Sequence, residues 1–129
     1  NHRLNLSDGI LIKDNHIIAS GSVTQAIKHA RKYNLNTPIE IEVDNIKQID
    51  EALSIGVEGF LLDNMDVNNI NKAVSLIRNS KDGKNIFIEA SGGINLENIT
   101  LYLHTGVDAI SIGALTHQAT SKDIRLEFI

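Results

Sequence analysis

Strand-length apolar runs alternate along this chain with stretches of helical periodicity, and few folds accept that rhythm. The apolar runs are Ile10–Ile12, Ile39–Val43, Gly59–Leu62, Ile86–Glu89 and Ala109–Ile112. Between them, apolar residues recur at helical spacing. Val23, Ala26, Ile27 and Ala30 form one stripe, with Ser22 and Gln25 placed as a capping box before it. Ile46, Ile49 and Leu53 form the next, which stops at Gly56. Val67, Ile70, Val74 and Ile77 form a third, with Asp66 as its expected N-cap. Leu96, Ile99 and Leu103 predict a fourth helix, capped by Asn95 and ended by Gly106. Strands this continuously apolar belong to a parallel sheet covered by helices.

An internal echo narrows the choice. Gly56-Val57-Glu58-Gly59-Phe60-Leu61-Leu62-Asp63 resembles Gly106-Val107-Asp108-Ala109-Ile110-Ser111-Ile112-Gly113. Each is a helix stop, a short turn and a strand, as in a barrel of βα repeats. The expected fold is α/β, part of an incomplete (β/α) barrel with parallel strands. A closed eightfold barrel takes roughly 200 residues or more, whereas this chain has 129 residues and supplies five units. An open arc would leave sheet edges and an inner face uncovered. The chain also begins Asn1-His2-Arg3, without an initiator Met. Both features predict that residues 1–129 are the C-terminal portion of a larger barrel domain.

Composition removes several classes of function. The net charge is −4 and basic residues are scattered, so the basic footprint of a nucleic-acid binder is missing. Aromatic residues, at 4%, are too few for base-stacking platforms. The absence of cysteine excludes disulfides, thiolate metal sites and a Cys nucleophile. No apolar run approaches the ~20 residues of a membrane span, and no signal peptide is visible. A cytoplasmic protein without a nucleic-acid or membrane partner is expected.

Two glycine turns point to the ligand. Ser91-Gly92-Gly93 follows the fourth strand and leads to Asn95, an expected helix start. Gly113-Ala114 follows the fifth. Such turns let backbone N–H groups face an anion, and barrels commonly place phosphate at their last βα loops. A phosphorylated small molecule is the expected ligand.

Ligands of parallel α/β folds bind at the C-terminal ends of the strands. Lys13, Asp14, Asn15 and His16 follow the first strand; Glu40, Glu42 and Asp44 lie in or after the second. Asp63 and Asn64 follow the third, Glu89 and Ser91 end the fourth, and Ser111, Gly113, Thr116 and His117 end the fifth. Each has a plainer explanation. Lys13 fits a snorkelling edge residue. Glu40 and Glu42 share one strand face and fit structural ion pairs with a residue such as Lys13. Asp63 fits a turn cap, and Gly92-Gly93 a simple tight turn. His16 and His117 are better placed for chemistry than His29 and His104, which fall on helices facing solvent. No His/Asp spacing matches a closed metal site, and no Ser-His-Asp constellation is apparent.

In order along the chain, these segments closely resemble one family. His2-Arg3-Leu4-Asn5-Leu6-Ser7-Asp8-Gly9, Leu11-Ile12-Lys13-Asp14-Asn15-His16-Ile17 and Glu40-Ile41-Glu42-Val43-Asp44 are followed by Leu62-Asp63-Asn64-Met65. Glu89-Ala90-Ser91-Gly92-Gly93-Ile94 and Gly113-Ala114-Leu115-Thr116-His117 complete the set. Together they resemble the quinolinate phosphoribosyltransferases, the carboxylating nicotinate-nucleotide pyrophosphorylases. The resemblance implies an N-terminal α/β sandwich domain and an early part of the barrel beyond this chain.

It also implies a reaction. Quinolinate and phosphoribosyl pyrophosphate would give nicotinate mononucleotide, pyrophosphate and CO2, a step of NAD biosynthesis. His2, Arg3 and Lys13 would bind the pyridine dicarboxylate. Lys13, Glu42 and Asp63 would be catalytic, with Glu42 and Asp63 near the ribose hydroxyls and magnesium, in part through water. Ser91, Gly92, Gly93, Gly113 and His117 would hold the 5′-phosphate. A homodimer or larger homo-oligomer is implied, with an Arg from the partner's N-terminal domain reaching the site. Gln118 stands where the family commonly has Ser. Alternatives on the same fold are a homologue linked to molybdate uptake, a nicotinate phosphoribosyltransferase and a non-catalytic phosphate-binding remnant.

Overall fold

A computed structural model describes residues 8–33 and 36–117. The expected parallel sheet is present. Its strands are β1 (Ile10–Ile12), β2 (Ile39–Val43), β3 (Gly59–Asp63), β4 (Phe87–Ser91) and β5 (Ala109–Ile110). They lie in the order β1-β2-β3-β4-β5, and every neighbouring pair is parallel. The order never reverses, so the sheet has no topological switch point. That progression is the one a barrel arc requires.

Helices cover one face. They are α1 (Asp14–Ser20), α2 (Val23–Tyr33), α3 (Ile46–Ile55), α4 (Val67–Arg78) and the short α5 (Ala114–His117). Side chains alternate across a strand, and burial follows. Ile39, Ile41, Val43, Phe60, Leu62, Ile88 and Ala90 are buried on the helix side. Ile27, Ile49, Ile70, Ala73 and Ile77 meet them from the helices. Each large side chain so buried contributes roughly 1.5–3 kcal/mol. Glu40, Glu42, Leu61 and Asp63 point to the opposite face and are half-buried.

The predicted caps form. The Asp66 carboxylate accepts the Asn69 N–H at 2.8 Å, and Ser22 Oγ accepts the Gln25 N–H at 3.1 Å. Gly56 ends α3 with φ +93°. Two expectations are corrected. Residues Asp14–Ser20, for which no helix was expected, form α1. The fourth helix is only a three-residue 3₁₀ turn, Ile99–Leu101. Its stripe fails because Leu96, Leu101 and Leu103 face outward, while Ile99 is partly buried and Tyr102 buried. Strand bounds also shift: β3 runs on to Asp63, β4 starts at Phe87 and runs on to Ser91, and β5 stops at Ile110.

The internal echo proves to be a repeated clamp. Arg31, near the end of α2, donates to both Glu58 carboxylate oxygens at 2.6 and 2.8 Å and to the Thr37 carbonyl at 3.1 Å. Glu58 also accepts the Ile39 N–H at 2.7 Å, while its own N–H bonds the Ile39 carbonyl at 3.0 Å. Arg78, ending α4, donates to Asp108 at 2.6 Å and to the carbonyls of Gly83 and Ile86. Asp108 accepts the Ile88 N–H and returns its own N–H to the Ile88 carbonyl, each at 2.8 Å. In both copies, one carboxylate joins the entrances of two adjacent strands to the preceding helix.

Removing such a carboxylate takes from the guanidinium its anionic partner and from a strand N–H its side-chain acceptor. Asp108→Ala should therefore cost about 1–3 kcal/mol, read from urea unfolding. Asp108→Asn, which keeps an acceptor for Ile88, should cost less. A loss below about 0.5 kcal/mol for Asp108→Ala would reduce the clamp to an ordinary surface ion pair.

Candidate active site

The strand ladder gathers the chemistry on the C-terminal rim. Glu42 is paired with Leu61, Leu61 with Glu89, and Asp63 with Ser91. Lys13 follows β1 on the same face and reaches Glu42, Nζ to Oε2, at 3.6 Å. The structural ion pair considered for this glutamate therefore exists, but it is long and Lys13 is half-exposed. Such a pair is weak, and both groups can turn to a ligand. Glu89 is buried and accepts a short hydrogen bond from the Ser111 hydroxyl.

Asp63 is not a helix cap, because Asp66 does that work. Its Oδ2 instead accepts the Asn64 side-chain amide at 2.8 Å. His16 is absorbed locally, its Nδ1 accepting the Lys13 N–H at 2.9 Å across the first turn of α1. Asp14 similarly binds its neighbour Asn15. Asp44 accepts from the Asn45 amide, and Asn45 caps α3. His2 and Arg3 lie outside the described residues. His117 falls within α5, and its side chain lies outside them too.

The first glycine turn has the form that an anion cradle needs. Gly92 and Gly93 take positive φ, +87° and +64°. Among the described residues, no backbone acceptor meets their N–H groups. The turn is braced at both ends. The Ser91 carbonyl accepts the Asn64 N–H at 2.9 Å, and the Gly93 carbonyl accepts the Asn98 amide at 3.0 Å. Ser91, Gly92, Gly93, Ser111 and Gly113 line a cleft of about 330 Å³. The expected helix dipole behind it is absent, since Asn95 caps only a turn, accepting from the N–H groups of Glu97 and Asn98. An anion in this cleft would have to be held by donors within the turn. A separate hollow, among Leu11, Glu40, Gly59 and Phe87, opens at the N-terminal ends of the strands. In a parallel barrel that end serves stability.

No cluster of three or more metal-ligating side chains occurs among the described residues. Glu42 and Asp63, on neighbouring strands, supply two carboxylates. That donor set suits an ion which keeps waters and is shared with substrate phosphates, as magnesium usually is. It does not suit a closed protein cage. No helix among the described residues is long and apolar enough to cross a membrane.

Comparison with known proteins agrees with this layout. Residues 1–127 match the family described as quinolinate phosphoribosyl transferase, C-terminal domain. The chain belongs to that family. It is 43% identical over 127 residues to the nicotinate-nucleotide pyrophosphorylase [carboxylating] of Mycobacterium leprae, covering 98% of this chain and 44% of that protein. It superposes on the nicotinate-nucleotide pyrophosphorylase of Ehrlichia chaffeensis with TM-score 0.80 and 46% identity, over 91% of this chain and 41% of that one. NadC from Streptococcus pyogenes gives TM-score 0.81 and 42% identity, over 95% and 42%. The chain thus spans less than half the length of the relatives it matches.

Asn64 was counted among the rim residues from sequence, but its bracing role was not foreseen. Its signal was positional, directly after an acidic strand end and two residues before a helix cap. Gly92 carries the most exacting requirement. A Cβ there would lie 2.5 Å from Asn64 Oδ1 and 2.6 Å from the Asn64 N, and its φ is left-handed as well. Gly92→Ala should therefore weaken inorganic phosphate binding at least tenfold in calorimetric titration, with an unchanged far-UV spectrum. Unaltered affinity would remove the turn from the anion site.

Proposed function

We propose that this chain supplies most of the active site of a carboxylating nicotinate-nucleotide pyrophosphorylase. The protein would transfer the phosphoribosyl group of phosphoribosyl pyrophosphate to the ring nitrogen of quinolinate. Pyrophosphate and CO2 would leave, and nicotinate mononucleotide would form. One observation supports this most. A cation, an acidic pair and an anion-cradling turn lie in that order along one rim, in a chain that matches the family over nearly its whole length.

The chemistry follows from those positions. Lys13, with His2 and Arg3, balances the two carboxylates of quinolinate; an Arg can engage one of them through two parallel bonds. Binding the dicarboxylate draws Lys13 from its long pair with Glu42. The glycosidic carbon becomes oxocarbenium-like as pyrophosphate departs, and carboxylates placed beforehand stabilise the positive charge. Glu42 and Asp63 fill that role and bind the ribose hydroxyls. The same two carboxylates would hold magnesium, partly through water, where the ion neutralises charge on the leaving pyrophosphate. Ser91, Gly92, Gly93, Gly113 and His117 hold the 5′-phosphate. Once the ring nitrogen carries the ribose, the adjacent carboxylate leaves as CO2; the cationic ring takes up the electron pair and a proton replaces it. A homo-oligomer, at least a dimer, completes the proposal.

Mass spectrometry tests the reaction. The complete gene product, given quinolinate, phosphoribosyl pyrophosphate and magnesium, should form nicotinate mononucleotide and CO2 in equal amounts. Nicotinate should not replace quinolinate. Product from nicotinate, without CO2, would overturn the assignment in favour of the monocarboxylate enzyme. Lys13→Ala should raise the quinolinate KM at least tenfold, about 1.4 kcal/mol or more. Glu42→Gln should fold normally and lose at least a hundredfold in kcat. A wild-type rate would deny Glu42 any catalytic or metal-holding part.

A further inference from the structure

We infer that Asn64 is the positioning residue that sets the distance between the ribose-binding carboxylate and the phosphate turn. This rests on the proposed roles of Asp63 and Ser91-Gly92-Gly93. Asn64 has positive φ, +51°, the only non-glycine to do so among the described residues. Left-handed backbone is costly for most side chains, and Asn is among the few that tolerate it. Such strain persists where surrounding contacts over-determine it.

Here the contacts are visible. The Asn64 N–H donates to the Ser91 carbonyl at 2.9 Å, the last rung of the β3–β4 ladder, at the residue from which the phosphate turn departs. The left-handed bend brings the side-chain amide back onto Asp63 Oδ2 at 2.8 Å. That leaves Asp63 Oδ1 for a ligand. The third contact is steric. Gly92 packs so closely on the Asn64 backbone and side chain that no Cβ fits between them. Asp63 and Ser91 are already paired in the ladder. Past that last rung, the contact continues only through the Asn64 side chain on Asp63 and the packing of Gly92 on Asn64. One residue thus grips an acid that would meet ribose hydroxyls and a turn that would meet the 5′-phosphate of the same molecule. It touches neither the substrate nor the reacting atoms.

Substitutions separate the two grips. Asn64→Gly accepts the left-handed backbone and keeps the N–H to Ser91, but loses the amide on Asp63. Asn64→Ala loses the amide and also resists the backbone bend. Calorimetric titration of the complete gene product with inorganic phosphate and with ribose 5-phosphate reads both without turnover. The wild type should bind ribose 5-phosphate more tightly than phosphate. Asn64→Gly should keep its phosphate affinity within twofold and lose at least fivefold of the preference for ribose 5-phosphate. Asn64→Ala should lose phosphate affinity too, by at least fivefold. A merely structural residue would lower the melting temperature and leave the ratio of the two affinities unchanged.

Retention of the ribose preference in Asn64→Gly would overturn the inference, whether or not Asn64→Ala folds. Activity is measured in parallel. Asn64→Gly should lower kcat about tenfold while changing the KM for phosphoribosyl pyrophosphate less. A wild-type protein that binds ribose 5-phosphate but makes no nicotinate mononucleotide would sink the proposed reaction and leave the role of Asn64 to be decided by the two affinities.

Discussion

Two of the four strand pairings behind the functional rim are pinned by a device at the other end of the sheet. A strand that slips by one residue turns all its side chains to the opposite face. Parallel strands joined through helices have no tight hairpin to set their register. The clamps Arg31–Glu58 and Arg78–Asp108 do so instead. Each carboxylate holds a guanidinium from the helix before one strand and an N–H at the start of that strand, from the entrance of the next. With the entrances fixed, the strand exits are fixed as well. Glu42, Asp63, Glu89 and Ser91 then share one face. The core supplies more free energy than the clamps, since each large buried side chain contributes roughly 1.5–3 kcal/mol. It is less particular about which residue faces which. The clamps add that choice, and their repetition explains why the sequence echoes itself at Glu58 and Asp108.

Charge changes steadily along the rim. The exit of β1 offers Lys13, the exits of β2 and β3 offer Glu42 and Asp63, and the exit of β4 offers a turn with no charge of its own. The proposed reactants would lie along this order, the dicarboxylate near the cation, the glycosidic carbon near the acids and the phosphate at the turn. The Lys13–Glu42 pair at 3.6 Å fits this use. A close, buried pair would cost several kcal/mol to break, whereas a long, half-exposed one gives way to a stronger partner.

Much of this arrangement was legible in the residues. Strand alternation in Ile39-Glu40-Ile41-Glu42-Val43 placed both glutamates on one face, and the structure keeps them there. The cap at Asp66 and the stop at Gly56 were readable because capping chemistry is local. The helix predicted over Leu96, Ile99 and Leu103 shows where periodicity fails. Three apolar residues at the right spacing say nothing of whether a surface exists to bury them, and here Leu96 and Leu103 face outward. Helix α1 was missed for the opposite reason, because its first turn is polar and its local partners, Lys13 and His16, are not ordinary capping residues. The strand-end position made the glycine turn an expected phosphate site, and family resemblance added the expected role of Asp63. The bond from Asn64 to Ser91 links segments 27 positions apart in the chain, and no local pattern encodes it.

The uncharged turn has a chemical logic of its own. Phosphoribosyl pyrophosphate carries two phosphate groups, a monoester at one end and a diphosphate at the other. A cation at the turn would attract both, and the more heavily charged diphosphate more strongly. Backbone N–H groups distinguish them by fit, since they present donors at fixed positions and carry no net charge. Gly92 and Gly93 offer such donors, and Asn64 and Asn98 hold the turn at its two ends. Behind the cleft wall, the Ser111 hydroxyl is bonded to the buried Glu89, so that side brings no cation to the turn. On the proposed reading, the two anions of one molecule would be told apart by withholding positive charge where one should bind and placing it where the reacting partner binds, at Lys13.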